Sequence, residues 1–189
     1  MNCFNNYKGH KKHGENLTRH ISMQDNYLVT NNNLRNIRLK INGRTFEVTV
    51  APHWTLYQVL KDQLGFTSIK DMCLGHGACG SCTVILDGRP VLSCLTLAVD
   101  CDGKTIETVE GIDPKHPVIE TFIKHHAFQC GYCTPGFVMT AKALLDRKKN
   151  PTIEEIIEAL SGNICRCGAY QLILNAVIEA TERLAKGNR

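Results

Sequence analysis

Two groups of cysteines carry the chemistry open to this chain. The later group is split between Gln129-Cys130-Gly131-Tyr132-Cys133-Thr134-Pro135-Gly136 and Asn163-Ile164-Cys165-Arg166-Cys167-Gly168. Cys-x2-Cys presents two thiolates from one tight loop and Cys-x-Cys two more from a tighter one, together the four soft ligands of an iron–sulfur or zinc site. The earlier group, Cys73-x5-Cys79-x2-Cys82-x11-Cys94, is close to the plant-type ferredoxin spacing, Cys-x4-Cys-x2-Cys followed by a distant Cys. Gly75, Gly77 and Gly80 lie among its ligands, where a missing Cβ lets backbone N–H groups approach sulfur. Such hydrogen bonds stabilise added negative charge and so raise a reduction potential.

Ten cysteines in 189 residues would read as a disulfide framework in a secreted chain. The first residues, Met1 to Lys8, carry neither an apolar signal segment nor twin arginines, and no stretch is long enough to span a bilayer. The expected setting is therefore reducing and cytoplasmic, where clustered cysteines hold metal. A net charge of +4, from 22 basic and 18 acidic residues dispersed along the chain, is too weak to argue for nucleic acid or a polybasic membrane anchor and says little about partners.

The elements that must position these ligands follow from the apolar period. Residues 1–33 are rich in Asn, His and Lys without periodicity, and read as a disordered or partner-ordered tail in which Cys3, His10, His13 and His20 are solvated. Ile37, Leu39 and Ile41 alternate with polar residues, Asn42-Gly43 is a type I′ turn pair, and Phe46, Val48 and Val50 resume the alternation, which predicts a β-hairpin. A short helix is predicted from Thr55, as N-cap, to Leu64, with Gly65 as its stop. Strand Thr83 to Leu86, an Asp87-Gly88 turn and a returning strand Val91 to Cys94 bring Cys94 beside Cys82. Lys104 to Thr108 ends a small mixed α+β unit that closes near Val109.

Beyond the linker Gly111 to Pro114 the period lengthens to that of helices. Four are predicted. The first buries Val118, Ile119, Phe122 and Ile123; the second, opened by Pro135, buries Phe137, Val138, Ala141, Leu144 and Leu145. The third starts at Thr152 with a capping box to Glu155 and buries Ile153, Ile156, Ile157 and Leu160; the last runs from Ala169 to about Ala185 through Leu172, Ile173, Ala176, Val177, Ala180 and Leu184. In an antiparallel four-helix bundle the first and third loops emerge at one end, so Cys130/Cys133 and Cys165/Cys167 converge there.

Cys79-Gly-Ser-Cys82-Thr-Val, Ser93-Cys94, the Gln129 to Gly136 segment and Cys165-Arg-Cys167-Gly168 together resemble the small iron–sulfur subunit of the molybdenum hydroxylase (xanthine oxidase) family, over about Asn36 to Lys186. The resemblance implies an α+β chain: an N-terminal β-grasp ferredoxin-like domain over 34–110 and an all-α four-helix bundle domain over 111–189, each holding a [2Fe-2S] cluster. It implies electron relay from a molybdopterin site on a large partner subunit through both clusters to an FAD-binding medium subunit or other acceptor, with no substrate site on this chain. Cys73, Cys79, Cys82 and Cys94 would hold one cluster and Cys130, Cys133, Cys165 and Cys167 the other, the latter nearer the pterin. Gln129 matches the glutamine that hydrogen-bonds the molybdenum cofactor, and Cys133 the cluster ligand adjoining the pterin. The family has four residues between its first two ligands where this chain has five, so the Cys73 loop must bulge to absorb one.

Other readings compete with these. A free-standing two-cluster ferredoxin-like carrier would account for the cysteines but leave Gln129 and the helical domain without a purpose, and a zinc-stabilised module would leave the glycine-rich loop unexplained. Cys101 fits neither group and reads as a buried structural thiol; His76 reads as a solvent-facing loop residue. Arg166 can be solvated, screen cluster charge or pair with the large subunit, and Tyr132 can cap the cluster or pack on the pterin partner. His125 and His126 end a helix, where they complement its dipole.

Overall fold

Alternation builds the first sheet. In this computed structural model, which describes residues 33–187, β1 (Arg35–Ile41) and β2 (Arg44–Val50) pair antiparallel in full register from Arg35↔Val50 to Ile41↔Arg44. The turn between them uses left-handed Asn42 (φ 50) and Gly43 (φ 77), the pair a type I′ turn demands. Expectations for the tail, including Cys3, His10, His13 and His20, fall outside the described residues. A second hairpin, β3 (Thr83–Leu86) and β4 (Arg89–Leu92), turns at Asp87 and Gly88, φ 46 and 78. β5 (Thr105–Glu107) joins the two hairpins, parallel to β1 and antiparallel to β3, giving the order β2-β1-β5-β3-β4.

The helix expected over 55–64 is tighter at its start and wider at its end. α1 (Leu56–Gln58) opens on a capping box between Thr55 and Gln58, then passes into a π-helical turn, Val59–Gln63, closed by Leu64 N–H on the Val59 carbonyl at 3.0 Å. Gly65 (φ 76) stops it. Leu56, Val59 and Leu60 are buried against Leu39, Ile41, Val84 and Ile106 of the sheet.

Four helices follow: α2 (Pro117–Lys124), α3 (Thr134–Arg147), α4 (Ile153–Leu160) and α5 (Tyr170–Lys186). They share one core of Val118, Phe122, Phe137, Val138, Ile156, Ile173 and Val177. The expected stripes are wider than the buried ones: Ile123, Ile153, Ile157 and Leu172 are exposed. α2 and α4 have only eight residues each, so only the side of the stripe nearest its neighbour is covered. The whole is a mixed α+β chain, as expected.

α3 also lies on the sheet, where its Met139 and Ala143 pack with Ile85 of β3. Lys142 of the same helix bridges Glu107 of β5 at 2.9 Å and Asp146 at 2.6 Å. No helix among the described residues is long and apolar enough to cross a membrane.

Candidate iron–sulfur centres

Asp71 organises the loop of the first quartet. Its Oδ1 accepts from Gly75 N–H at 3.0 Å, and the Cys73 carbonyl accepts from His76 N–H at 3.3 Å with His76 Nδ1 2.7 Å away. The extra residue is absorbed by two consecutive left-handed positions, Leu74 (φ 55) and Gly75 (φ 83), which push the Leu74 side chain outward to 83% exposure. Cys73 is half-buried; Cys79, Cys82 and Cys94 are buried. Cys94 does not sit in the returning strand as expected. β4 stops at Leu92, and Ser93–Leu95 form a 3-10 turn fastened by Ser93 N–H and Oγ on the Cys82 carbonyl, at 3.3 and 2.7 Å.

Cys79 and Cys73 lie together, their sulfurs within 4.8 Å of one another, and Cys82 is the cysteine that most strongly affects Cys94. Burial, then Cys82, push the Cys94 thiol up to about 12, while Gly77 N–H pulls it down. Burial also opposes ionisation of Cys79, yet Ser81 N–H, the Ser81 hydroxyl, Cys73 and Met72 N–H together bring its thiol below the ordinary value. The buried Ser81 Oγ has no hydrogen-bond partner in the protein. Of the three glycines expected to admit N–H groups to sulfur, Gly77 does so; Gly75 bonds Asp71, and Gly80 serves a different contact.

The second quartet hangs from the loops before α3 and α5. Pro135 in the first turn of α3 and left-handed Gly131 (φ 80) shape the first loop, and left-handed Gly168 (φ 79) the second. Here too one cysteine dominates the electrostatics of another, Cys165 for Cys133 and Cys130 for Cys167. Burial, then Cys165 and Cys130, push the Cys133 thiol up to about 12. Cys165 is also buried, but N–H groups of Ala169, Cys167 and Gly168, with the Cys133 thiol, hold it below the ordinary value. Cys133 and Cys165 are buried, whereas Cys130 and Cys167 are exposed together with Gln129.

This spacing distinguishes the candidate metals. At a Zn–S distance of about 2.3 Å, all four sulfurs of a zinc tetrahedron would lie within about 4 Å of one another. Among the described residues, the one trio of metal-ligating atoms within 4.8 Å of one another is Asp71, Cys73 and Cys79, so no three cysteines meet that closely. Four cysteines per site, all unbridged by disulfides, suit a two-iron cluster in which each iron takes two of them. Buried sulfurs met by backbone N–H groups are the surroundings such an anionic cluster requires.

The remaining residues fall into place around these loops. Cys101 is a fully buried core thiol whose Sγ donates to the Leu97 carbonyl at 3.5 Å, and burial pushes it up to about 11. His76 and Arg166 are exposed. His125 pairs with Glu179 at 2.6 Å. Tyr132 is exposed and its hydroxyl donates to the Asp71 carbonyl at 3.2 Å, tying the second loop to the first. Sequence reasoning missed Asn163, which is buried and bonds Gly80 of the other loop at 3.1 Å; no local pattern marks a contact between residues 83 apart.

Comparison with known proteins agrees with two centres. Residues 39–107 match the family described as 2Fe-2S iron-sulfur cluster binding domain, and 105–178 that described as [2Fe-2S] binding domain. The chain is 47% identical over 154 residues to the nicotine 6-hydroxylase small subunit of Paenarthrobacter nicotinovorans, covering 80% of this chain and 93% of that one. It is 41% identical over 162 residues to the aldehyde oxidoreductase iron-sulfur-binding subunit of Escherichia coli K12, covering 76% and 70%. Quinoline 2-oxidoreductase from Pseudomonas putida 86 superposes with a TM-score of 0.76 at 39% identity, over 83% of this chain and 99% of that one.

Free cysteines on these loops, in this fold, define a two-cluster iron–sulfur electron carrier. The chain belongs to the family of small iron–sulfur subunits of molybdenum-containing hydroxylases. As such a subunit the chain transfers electrons through two [2Fe-2S] clusters within a molybdenum-containing hydroxylase.

Proposed function

We propose that Cys73, Cys79, Cys82 and Cys94 hold one [2Fe-2S] cluster and Cys130, Cys133, Cys165 and Cys167 the other. The observation that supports this assignment is the convergence of free cysteines on these loops, with the Cys73 and Cys79 sulfurs within 4.8 Å of one another, in segments that match two [2Fe-2S] families over 39–107 and 105–178. Bound there, each cluster accepts and returns one electron at a time. The chain's own part is to keep the sulfurs together, to direct N–H groups at Cys79, Cys94 and Cys165, and to exclude water from the buried members.

The exposed rim of Gln129, Cys130 and Cys167 faces the large subunit, with the Gln129 amide reaching the molybdopterin. Cys133, matched by resemblance to the cluster ligand adjoining the pterin, would hold the cluster from within the helical core, while the exposed cysteines of this quartet are Cys130 and Cys167. The first centre, at residues 73–94, then lies toward an FAD-binding medium subunit. In this reading the described residues from 34 to 110 form a β-grasp ferredoxin-like domain, those from 111 onward a four-helix bundle domain, and the complex works in the cytoplasm.

Expression of the tagged chain in its native host tests the partnership: co-purification of a molybdopterin-containing large subunit is expected, and a lone monomer would contradict it. Replacing Gln129 by Ala should leave iron content intact and weaken retention of the molybdenum cofactor; unchanged retention would remove Gln129 from the site.

A further inference from the structure

One backbone hydrogen bond joins the loops that carry the two centres at the ligand residues themselves. Ile164 N–H donates to the Cys79 carbonyl at 2.9 Å, and each of these residues is, or adjoins, a proposed ligand: Cys79 in the first centre, Cys165 in the second. From Cys79 Sγ to Cys165 Sγ the chain therefore offers a path of covalent bonds interrupted by a single hydrogen bond. Electronic coupling decays far more steeply across an open gap than along bonded atoms, so the rate of electron passage depends on that hydrogen bond staying closed.

Asn163 holds it closed. Its side chain is buried, and Nδ2 donates to the Gly80 carbonyl at 3.1 Å, one residue beyond Cys79. The Asn163 N–H is itself tied to the end of α4 through the Leu160 carbonyl at 3.0 Å, so the amide clamps one loop to a fixed helix end. The approach is close enough that Gly80 must be glycine, and so must Gly136, which packs on the Gly80 carbonyl. A Cβ on Gly80 (φ 70) would lie 2.5 Å from Asn163 Nδ2 and 2.5 Å from the Gly162 carbonyl oxygen, and one on Gly136 would lie 2.3 Å from the Gly80 oxygen. The other link between the loops, Tyr132 to the Asp71 carbonyl at 3.2 Å, is longer and attaches outside the ligand residues of the first centre.

We propose that Asn163 is a positioning residue for electron passage between the two centres: by clamping Gly80 it keeps Ile164 N–H on the Cys79 carbonyl. One electron leaves the reduced cluster of the helical domain, which is oxidised, and reaches the oxidised cluster of the first domain, which is reduced; no proton or bond is exchanged. The proposal rests on the ligand assignment above.

The test uses the intact complex, wild type and Asn163→Ala. Hydrogen exchange at Ile164 N–H reads the clamp directly, because losing a hydrogen bond of about 1 kcal/mol should speed exchange roughly fivefold. Flash photoreduction with a deazaflavin, followed by the distinct spectra of the two clusters, reads re-equilibration between them. In Asn163→Ala we expect full iron and sulfide, unchanged midpoint potentials, faster Ile164 exchange and a several-fold slower equilibration. Equilibration at the wild-type rate, or a slowing matched by shifted potentials, overturns the proposal. Should the alanine variant fail to retain both clusters, Asn163→Asp, isosteric but without a donor for Gly80, is judged by the same readouts. Wild-type protein lacking one cluster would instead defeat the ligand assignment and this proposal with it, whereas full loading with unaltered equilibration defeats this proposal alone.

Discussion

At Cys73 the loop is one residue longer than its family's pattern, and the backbone records where that residue went. Leu74 takes a left-handed conformation that costs a non-glycine residue about 1–2 kcal/mol. Its side chain is 83% exposed and contributes no packing to offset this. Leu74→Gly should therefore leave both clusters in place and raise stability by about 0.5–1 kcal/mol in denaturant titration; a loss of stability would show that Leu74 has an unrecognised packing role. Cys73→Ser should cost one cluster and lower iron and sulfide to about half, since a plant-type cluster needs four thiolates. Full iron in that variant would mean that another group, with Asp71 nearest at 3.8 Å, serves in its place.

Among the elements, α2 and α5 are held together at the surface by Glu179, which binds Lys124 at 2.7 Å, Arg183 at 2.6 Å and His125 at 2.6 Å. Lys124, then Arg183 and His125, hold the Glu179 carboxyl down at about 2. A carboxylate whose folded pKa is depressed stabilises the fold above its ordinary value and loses that contribution as pH falls through the folded one. The stability gap between wild type and Glu179→Gln should thus be full above about pH 5 and close by about pH 2. A gap that persists at pH 2 would assign the effect to packing. Thr152→Ala, which removes the capping box of α4, should cost about 1 kcal/mol at any pH where Glu155 is ionised.

These elements were largely legible in the sequence because their signals are local. Asn42-Gly43 and Asp87-Gly88 specify their turns, and Thr152 with Glu155 specifies a helix start. The π turn after Gln58, the early end of β4 and the outward faces of Ile153 and Ile157 were not, since each depends on what packs against the segment. The eight proposed ligands stand out by spacing and by family resemblance, but which of them are neighbours does not: that Cys165 dominates the electrostatics of Cys133, and Cys130 those of Cys167, depends on how two loops cross in space.

For the molecule as a whole, the sheet and the helices are joined where function needs them joined. α3 packs on β3, and Gly136 at its start lies against Gly80 of the first cluster loop. Gly136→Ala would place a Cβ 2.3 Å from the Gly80 oxygen, with backbone on both sides and no flexible side chain to yield. A loss of about 1–3 kcal/mol is expected, with both domains still able to bind iron. Stability unchanged in that variant would mean that the two halves are not packed as described.

The central claim is that this chain carries two [2Fe-2S] clusters in sequence between a molybdopterin site and a further acceptor. Iron and acid-labile sulfide analysis combined with electron paramagnetic resonance of the reduced, natively purified complex tests it most directly. The account predicts about four iron and four sulfide per copy of this chain, and two distinguishable cluster signals, one of which disappears in Cys73→Ser and the other in Cys165→Ser. Stoichiometric zinc without sulfide, or a single signal lost in both variants, would contradict it.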